Sequence, residues 1–295
     1  MKLIRSNVNS IAKADIVLIG LPDESKSHAR RKGASKGPDA IRSASNEFEY
    51  FERKGKIIPI SPMAGDLERK KIFDFGNIAR EDLYHLVFDI GSSGKIPIIL
   101  GGDHSLTALS LKALNDALSA KLSLLYFDAH PDFVTSTTNY YGSVVSDSAD
   151  CIDFRTSSLI GTRGAEPEEI DNISTNKLES ISPLDILGSG VHAISERIVS
   201  RCGDDTNVYI SIDLDSIDPG IAPGVSVPTP GGMTPLELIF LVKKVCEKCN
   251  VVGLDIVELT PSFDLNNNTA NIAARTLMES MASLKIRDKE ARRVK

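Results

Sequence analysis

Short apolar runs rich in β-branched residues recur along the chain, each followed by a polar or glycine-rich stretch and then by apolar positions at helical spacing. The runs are Asp15–Gly20, Lys95–Leu100, Leu122–Phe127, Ser158–Gly161, Val208–Ile212 and Val251–Ile256. They are too short for helices and are bounded by turn residues, so they predict strands. Helical periodicity follows at about 80–92, 106–119, 191–201, 235–247 and 270–285. This alternation predicts an α/β chain: a three-layer αβα arrangement with a doubly wound, mainly parallel sheet covered on both faces. No repeat or low-complexity linker interrupts it, and residues 1–295 read as one domain with a long loop at 133–153. The charged end, 286–295, reads as a solvated tail.

Composition narrows the function classes. The chain has 295 residues, 41% hydrophobic and 25% charged, enough for a full-sized core and unlike a disordered chain. Lys plus Arg is 34 against 40 for Asp plus Glu, a net charge of -6, which argues against a partner made of nucleic acid. The absence of Trp and an aromatic content of 5% remove the stacking platforms of a single-strand reader. The apolar runs fall far short of the roughly 20 residues a spanning helix needs, so no membrane partner is expected. Met1–Arg5 lacks the apolar stretch of a secretory signal, and a cytoplasmic location is expected. Four cysteines form no disulfide framework. Cys246 and Cys249 make a lone C-x-x-C without the second close pair a structural zinc site would want.

The reactive side chains cluster where the strands end. In an open parallel sheet the loops at the carboxyl ends converge on one edge, where ligands bind. Four runs lead into Gly101-Gly-Asp-His-Ser105, Asp128-Ala-His-Pro-Asp132, Asp213-Leu-Asp-Ser-Ile-Asp218 and Val257-Glu258. A lone D-x-D reads as a strand-end cap. Here His104, Asp128, His130, Asp132, Asp213 and Asp215 make a set of four carboxylates and two imidazoles. That mixture suits borderline-hard divalent ions such as Mn²⁺, and six ligands suit two ions better than one. A two-metal phosphoesterase would want further His-rich loops after Asp213, and a single-zinc deacylase would leave the Gly-Gly-Asp-His loop surplus.

At these residues the chain resembles the ureohydrolase family of arginases, agmatinases and related amidinohydrolases. The resemblance runs through Ile96–Thr107, Phe127–Asp132 and Ser211–Gly232, with Arg31–Arg42 before them. Gly253–Pro261, followed by Asp264 and Thr269, resembles the agmatinase branch more than the arginase branch. The resemblance implies an arginase-like sheet and two Mn²⁺ per chain, with Asp128 and Asp213 bridging the ions. His104 and Asp132 would complete one coordination sphere, His130 and Asp215 the other. It also implies hydroxide supplied between ions about 3.5 to 4 Å apart. Asp132 would accept the hydrogen bond of that nucleophile, and Glu258 would pair with the guanidinium of a small guanidino substrate. The activity implied is hydrolysis of agmatine to putrescine and urea, with an arginase or a guanidino-acid hydrolase as alternatives. Family members are often trimers or hexamers, so a homo-oligomer is expected.

One stretch departs from the family. Many members carry a histidine after a glycine in the second loop, in a Ser-His-Gly or Ser-His-Ala context. This chain has Gly142–Ala149, with Asp147 where that histidine would stand. An exposed aspartate does not exchange protons near neutrality. The substitution therefore opens a second reading, a metal-stabilised binding protein without catalysis. As part of an acidic loop, Asp147 and Asp150 are expected to contact the distal ammonium of agmatine. Of the remaining histidines, His85 and His192 read as packing or surface residues, and His28 lies in a loop that should overhang the site.

Overall fold

A computed structural model of the chain describes residues 1–203 and 206–286. Strand β1 (Ile16–Leu21) leads to helix α1 (Gly37–Phe48), an antiparallel hairpin of β2 (Tyr50–Arg53) and β3 (Lys56–Pro59), and then β4 (Ile72–Asn77). Helix α2 (Arg80–Ser92), β5 (Ile96–Gly101), α3 (Leu106–Leu118) and β6 (Ser123–Phe127) follow. After a long loop carrying the single turn α4 (Val144–Asp147) come β7 (Ser158–Ile160), α5 (Pro167–Asn176), β8 (Glu179–Ile181), α6 (Pro183–Ser189) and α7 (Val191–Cys202). The chain ends through β9 (Asn207–Asp213), α8 (Pro235–Lys248), β10 (Asn250–Val257) and α9 (Asn268–Ser283).

Eight strands form one sheet in the order β4-β1-β5-β10-β9-β6-β7-β8, and every pairing in it is parallel. The period-two alternation of strand side chains divides the core in two. Ile16, Leu18, Ile98, Leu100, Ile210 and Ile212 face one side and pack with Ile41 of α1, Ile198 of α7, Leu241 of α8 and Leu277 of α9. Val17, Ile19, Ile99, Leu124, Tyr126 and Tyr209 face the other, with Leu83 and Val87 of α2 and Leu111 of α3. Three layers result, as the sequence predicts. Helix starts are written locally: Thr234 Oγ1 accepts from Glu237 N at 3.2 Å while Glu237 Oε2 accepts from Thr234 N at 2.8 Å, and Pro235 fills the first helical position.

All six predicted strands and all five predicted helices are present, with boundaries shifted by a few residues. The edge strands β4 and β8, the hairpin and helices α1, α5 and α6 lay outside the sequence reading. Edge strands bury only alternate positions, as in β4, so they lack a continuous apolar run. Cys246 and Cys249 are buried in the first core as packing residues. Of the expected tail, Ile286 packs against the same core, and residues 287–295 lie outside the described residues. Among the described residues no helix is long and apolar enough to cross a membrane.

Candidate metal centre and active site

Strands β5, β10, β9 and β6 are consecutive in the sheet, and their carboxyl ends deliver all the predicted reactive residues to one edge. The Gly-Gly pair permits this approach: a Cβ on Gly102 would lie 1.9 Å from the carbonyl oxygen of Asp23, so only glycine lets the 22–36 loop pack over the end of β5. His104 Nδ1 lies 3.0 Å from Asp128 Oδ2, 3.2 Å from Asp213 Oδ2 and 3.6 Å from Asp132 Oδ2. His130 Nδ1 lies 3.1 Å from Asp215 Oδ2 and 3.4 Å from Asp128 Oδ1. Asp128 therefore stands between the imidazoles with one oxygen toward each. His104, Asp128 and Asp132 form one group able to hold a cation, and Asp128, His130 and Asp215 a second. Asp213 faces His104 through Oδ2 while its Oδ1 accepts from Asp215 N at 2.7 Å.

The hydrogens behind the site fix the orientation of His104. Ser211 Oγ donates to Asp255 Oδ1 at 2.7 Å, and Thr107 and Tyr209 donate their hydroxyls to Asp255 Oδ2, also at 2.7 Å. Its proton spent on Asp255, Ser211 can only accept from His104 Nε2, 2.7 Å away. Nδ1 is then the nitrogen left to bind a cation or an extra proton, and it is the one aimed at the carboxylates. This hydroxyl–carboxylate relay, buried between β5, β9 and β10, was not among the predicted site residues. The alternating polar positions Ser211 and Asp255 inside otherwise apolar strands are the signal for it.

The site demands positive charge. Burial, reinforced by the neighbouring carboxylates, pushes Asp132 and Asp213 well above the usual carboxylate range and raises Asp215 as well. Burial also works against charge on Asp128, but hydrogen bonds from His104 and His130 outweigh it and hold that carboxyl low. On His104, burial favours the neutral ring, while Asp128 and Asp213 reverse the balance and raise its pKa well above the ordinary value. Asp128 Oδ2 is buried and meets His104 Nδ1 at 3.0 Å as an ion pair. Four carboxylates clustered on two imidazole Nδ1 atoms fit divalent cations, which would replace the protons on the imidazoles.

Glu258 closes the site from β10. Its backbone is in the left-handed region, at φ 64°, held by its amide donating to the carbonyl of Gly102 at 2.9 Å. Oε1 accepts the amide of His104 at 2.9 Å, Oε2 is buried without a partner, and burial pushes the carboxyl up to about 7. Asp132 shares the left-handed backbone, at φ 48°. A cavity of about 220 Å³ opens between these groups, walled by Tyr140, Tyr141, Gly142, Gly164, Glu166 and Val227.

Asp147 and Asp150, expected to contact the substrate, do not line this cavity. Both are exposed, and the Asp147 carboxylate is turned into its own loop, where it accepts from the amide of Asn139 at 2.8 Å and the hydroxyl of Ser143 at 2.6 Å. The residues of that loop that line the cavity are Val134, Tyr140, Tyr141 and Gly142, and of these Tyr141 feels the site's charge. Burial and the charges of Asp132 and Glu258 push its hydroxyl pKa up. His28 is exposed and stacks on Tyr140 at 5.1 Å near the cavity mouth. His85 and His192 are exposed far from the site, beside Tyr84 and Phe240.

Two further residues escaped sequence reasoning. The guanidinium of Arg163 donates to the carbonyls of Asp215 at 2.8 Å, Gly161 at 3.0 Å and Pro230 at 3.1 Å, knitting three loops beneath the site. Glu169 is buried and accepts from the amides of Phe133 at 3.0 Å and Glu166 at 2.8 Å, which sets Glu166 at the cavity wall.

A doubly wound parallel sheet that gathers imidazoles and carboxylates at its carboxyl edge, beside a buried glutamate with one open oxygen, defines the class as an α/β protein with a site suited to divalent cations. The chain matches the arginase family over residues 14–283 and belongs to that family, on its agmatinase-like branch; it is a ureohydrolase, acting on a carbon–nitrogen bond of a guanidino compound. It is 28% identical to the mitochondrial guanidino acid hydrolase of Homo sapiens over 92% of this chain and 78% of that one. It is 27% identical to the agmatinase of Chromobacterium violaceum over 95% and 87%. Among solved structures, the agmatine ureohydrolase of Thermoplasma volcanium superposes with a TM-score of 0.78 at 31% identity, covering 96% of this chain and 93% of that one.

Proposed function

We propose that this chain binds two manganese ions and hydrolyses agmatine to putrescine and urea. The observation that carries the reading is Asp128, with Oδ2 3.0 Å from His104 Nδ1 and Oδ1 3.4 Å from His130 Nδ1, so that one carboxylate faces both imidazoles. His104, Asp128, Asp132 and Asp213 would hold one ion, and Asp128, His130, Asp213 and Asp215 the other. Bound there, the ions would supply Lewis acidity and bring the pKa of a nearby water toward neutrality. The free Oε2 of Glu258 takes an N–H of the guanidinium and fixes the trigonal carbon over the cluster. Asp132 accepts the hydrogen bond of the attacking water and passes its proton to the departing amine.

Agmatine is favoured over a guanidino acid by the charge of the wall. Glu166 stands at the cavity, and no lysine or arginine is among its described lining residues. A distal ammonium meets a carboxylate there, whereas a distal carboxylate meets no cation. The reading without catalysis is disfavoured because all six ligand positions and the substrate-facing glutamate are intact. We further propose that each chain works as one ureohydrolase domain in a cytoplasmic homo-oligomer.

The test is urea release from agmatine, 4-guanidinobutyrate and arginine, with and without added Mn²⁺. Manganese-dependent turnover fastest on agmatine is expected. Turnover fastest on 4-guanidinobutyrate would replace the substrate, and no turnover of any guanidino compound would return the binding-protein reading.

A further inference from the structure

We infer that Tyr126 is a positioning residue that makes the two cation sites unequal, by pinning Asp132 on the His104 side of Asp128. The inference rests on the two-cation reading above and adds a residue that reading does not use. Tyr126 lies inside the apolar run of β6, fully buried, where phenylalanine would serve packing alone. Its ring stacks on the imidazole of His104, with centroids 4.6 Å apart and planes 10° from parallel. Its hydroxyl donates to Asp132 Oδ2 at 2.5 Å and lies 3.0 Å from His104 Nδ1.

Among the described residues this hydroxyl is the one hydrogen-bond donor to the Asp132 carboxylate. Asp132 sits in a loop after Pro131 with a left-handed backbone, so neither strand register nor helix geometry orients its side chain. Its direction therefore depends on Tyr126. The single phenolic proton is engaged at Asp132, which leaves the phenol oxygen to accept toward His104 Nδ1, the nitrogen that the Ser211 relay leaves free for a cation or a proton. The two atoms, 3.0 Å apart, thus turn toward positive charge at the place where His104, Asp128 and Asp132 converge. The second site is built otherwise. Asp215 is held by the backbone amide of Ala129 at 3.1 Å, and His130 Nε2 lies 3.2 Å from the Thr229 hydroxyl. The phenol thus serves one site and not the other.

Tyr126→Phe keeps the ring, the stack and the burial and removes only the hydroxyl. The test is calorimetric titration of metal-free protein with Mn²⁺, for wild type, Tyr126→Phe, Asp132→Asn and the double variant. Wild type should bind two ions. In Tyr126→Phe one dissociation constant should rise about 10- to 100-fold, the effect typical of losing the partner of a metal ligand, while the other stays within about twofold. Because Tyr126 acts through Asp132, the double variant should bind no more weakly than Asp132→Asn alone. Steady-state kinetics at intermediate Mn²⁺ should show kcat reduced with KM unchanged. Two unchanged constants in Tyr126→Phe, or equal weakening of both together with a lower melting temperature, would overturn the inference and leave the two-cation reading standing. Fewer than two ions in wild type would overturn both.

Discussion

Glu258 accepts the backbone amide of His104 through Oε1 at 2.9 Å, which leaves Oε2 buried and unpartnered at the cavity wall. One carboxylate thus ties the end of β10 to the end of β5 and still presents an open acceptor. An unsatisfied buried acceptor costs about 1–3 kcal/mol, and at the cavity wall that cost is relieved by a ligand that donates to Oε2. Glu258→Gln retains an oxygen for His104 and removes the charge. Substrate turnover should fall about 10- to 100-fold in kcat/KM, as expected for losing a charge-assisted pair, while the melting temperature hardly changes. A sharp drop in melting temperature with normal kinetics would make Glu258 a core residue.

Removing the metal should be felt in both activity and stability. Without a cation, Asp128, Asp132, Asp213 and Asp215 have the two imidazoles as their sole source of positive charge among the described residues that line the site. A ligand bound only by the folded state at 100 times its dissociation constant contributes about 2.7 kcal/mol. Chelation should abolish urea release and lower the melting temperature, and Mn²⁺ should restore both. Asp128→Asn should lose both ions by elemental analysis, whereas Asp215→Asn should retain one. Near-wild-type metal in Asp128→Asn would remove Asp128 from the centre.

Most of the sheet and the cluster of imidazoles and carboxylates at its edge were legible because both are written in local pattern. Buried parallel strands are continuous apolar runs, and the clustered residues follow within a few positions, as His104 follows Leu100 and Asp128 follows Phe127. What sequence spacing does not carry is orientation. Asp147 stands near the expected place along the chain, yet the turn of α4 points its carboxylate at Asn139 and Ser143, and Tyr140, Tyr141 and Gly142 line the wall. Tyr126 and Arg163 were illegible for a different reason. Their partners lie on other strands and loops, and inside a strand-sized apolar run a tyrosine reads as core until its hydroxyl is located.

Arg163 holds the floor of the site through backbone carbonyls alone. Its planar fork reaches several at once, which the single ammonium of lysine cannot do. Arg163→Lys should lower the free energy of unfolding by about 1.5–3 kcal/mol and reduce kcat, because the carbonyl of Asp215 is among those released. Metal content should stay near two per chain. Unchanged kcat with lowered stability would confine Arg163 to loop packing.

A pH dependence of stability comes from Glu49, far from the metal centre. Its Oε2 accepts from Arg5 Nε at 2.9 Å, but Oε1 is buried without a partner, and burial outweighs Arg5 and pushes the carboxyl from 4.5 up to about 7. Between those values the folded state binds a proton the unfolded state has lost. The stabilisation is therefore complete below pH 4.5 and is lost as pH rises through 7, amounting to at most about 3.5 kcal/mol at roughly 1.4 kcal/mol per unit. Denaturant melts of wild type and Glu49→Gln should show the variant gaining relative stability from pH 5 to pH 8. A constant difference across that range would mean that the Arg5 pair keeps Glu49 ionised throughout.

Substrate choice turns on which acidic residue reads the far end of the ligand. Asp147 is saturated by its own loop, so Asp147→Asn should disturb the turn at 139–147 and lower stability while leaving the ratio of agmatine to 4-guanidinobutyrate turnover within about twofold. Glu166 lines the cavity, at a place set by the hydrogen bond its backbone amide donates to the Glu169 carboxylate. Glu166→Gln removes a negative charge without emptying the wall, and a partly solvated charge-assisted contact is worth about 1.5 kcal/mol, or roughly tenfold. The variant should lose about that factor in kcat/KM for agmatine and none for 4-guanidinobutyrate, so that discrimination narrows from one side only. Equal losses on both compounds would show that Glu166 supports the loop and does not sense the distal charge. A change in discrimination produced by Asp147→Asn and absent in Glu166→Gln would return specificity to the acidic loop and require its carboxylate to swing away from Ser143 when substrate binds.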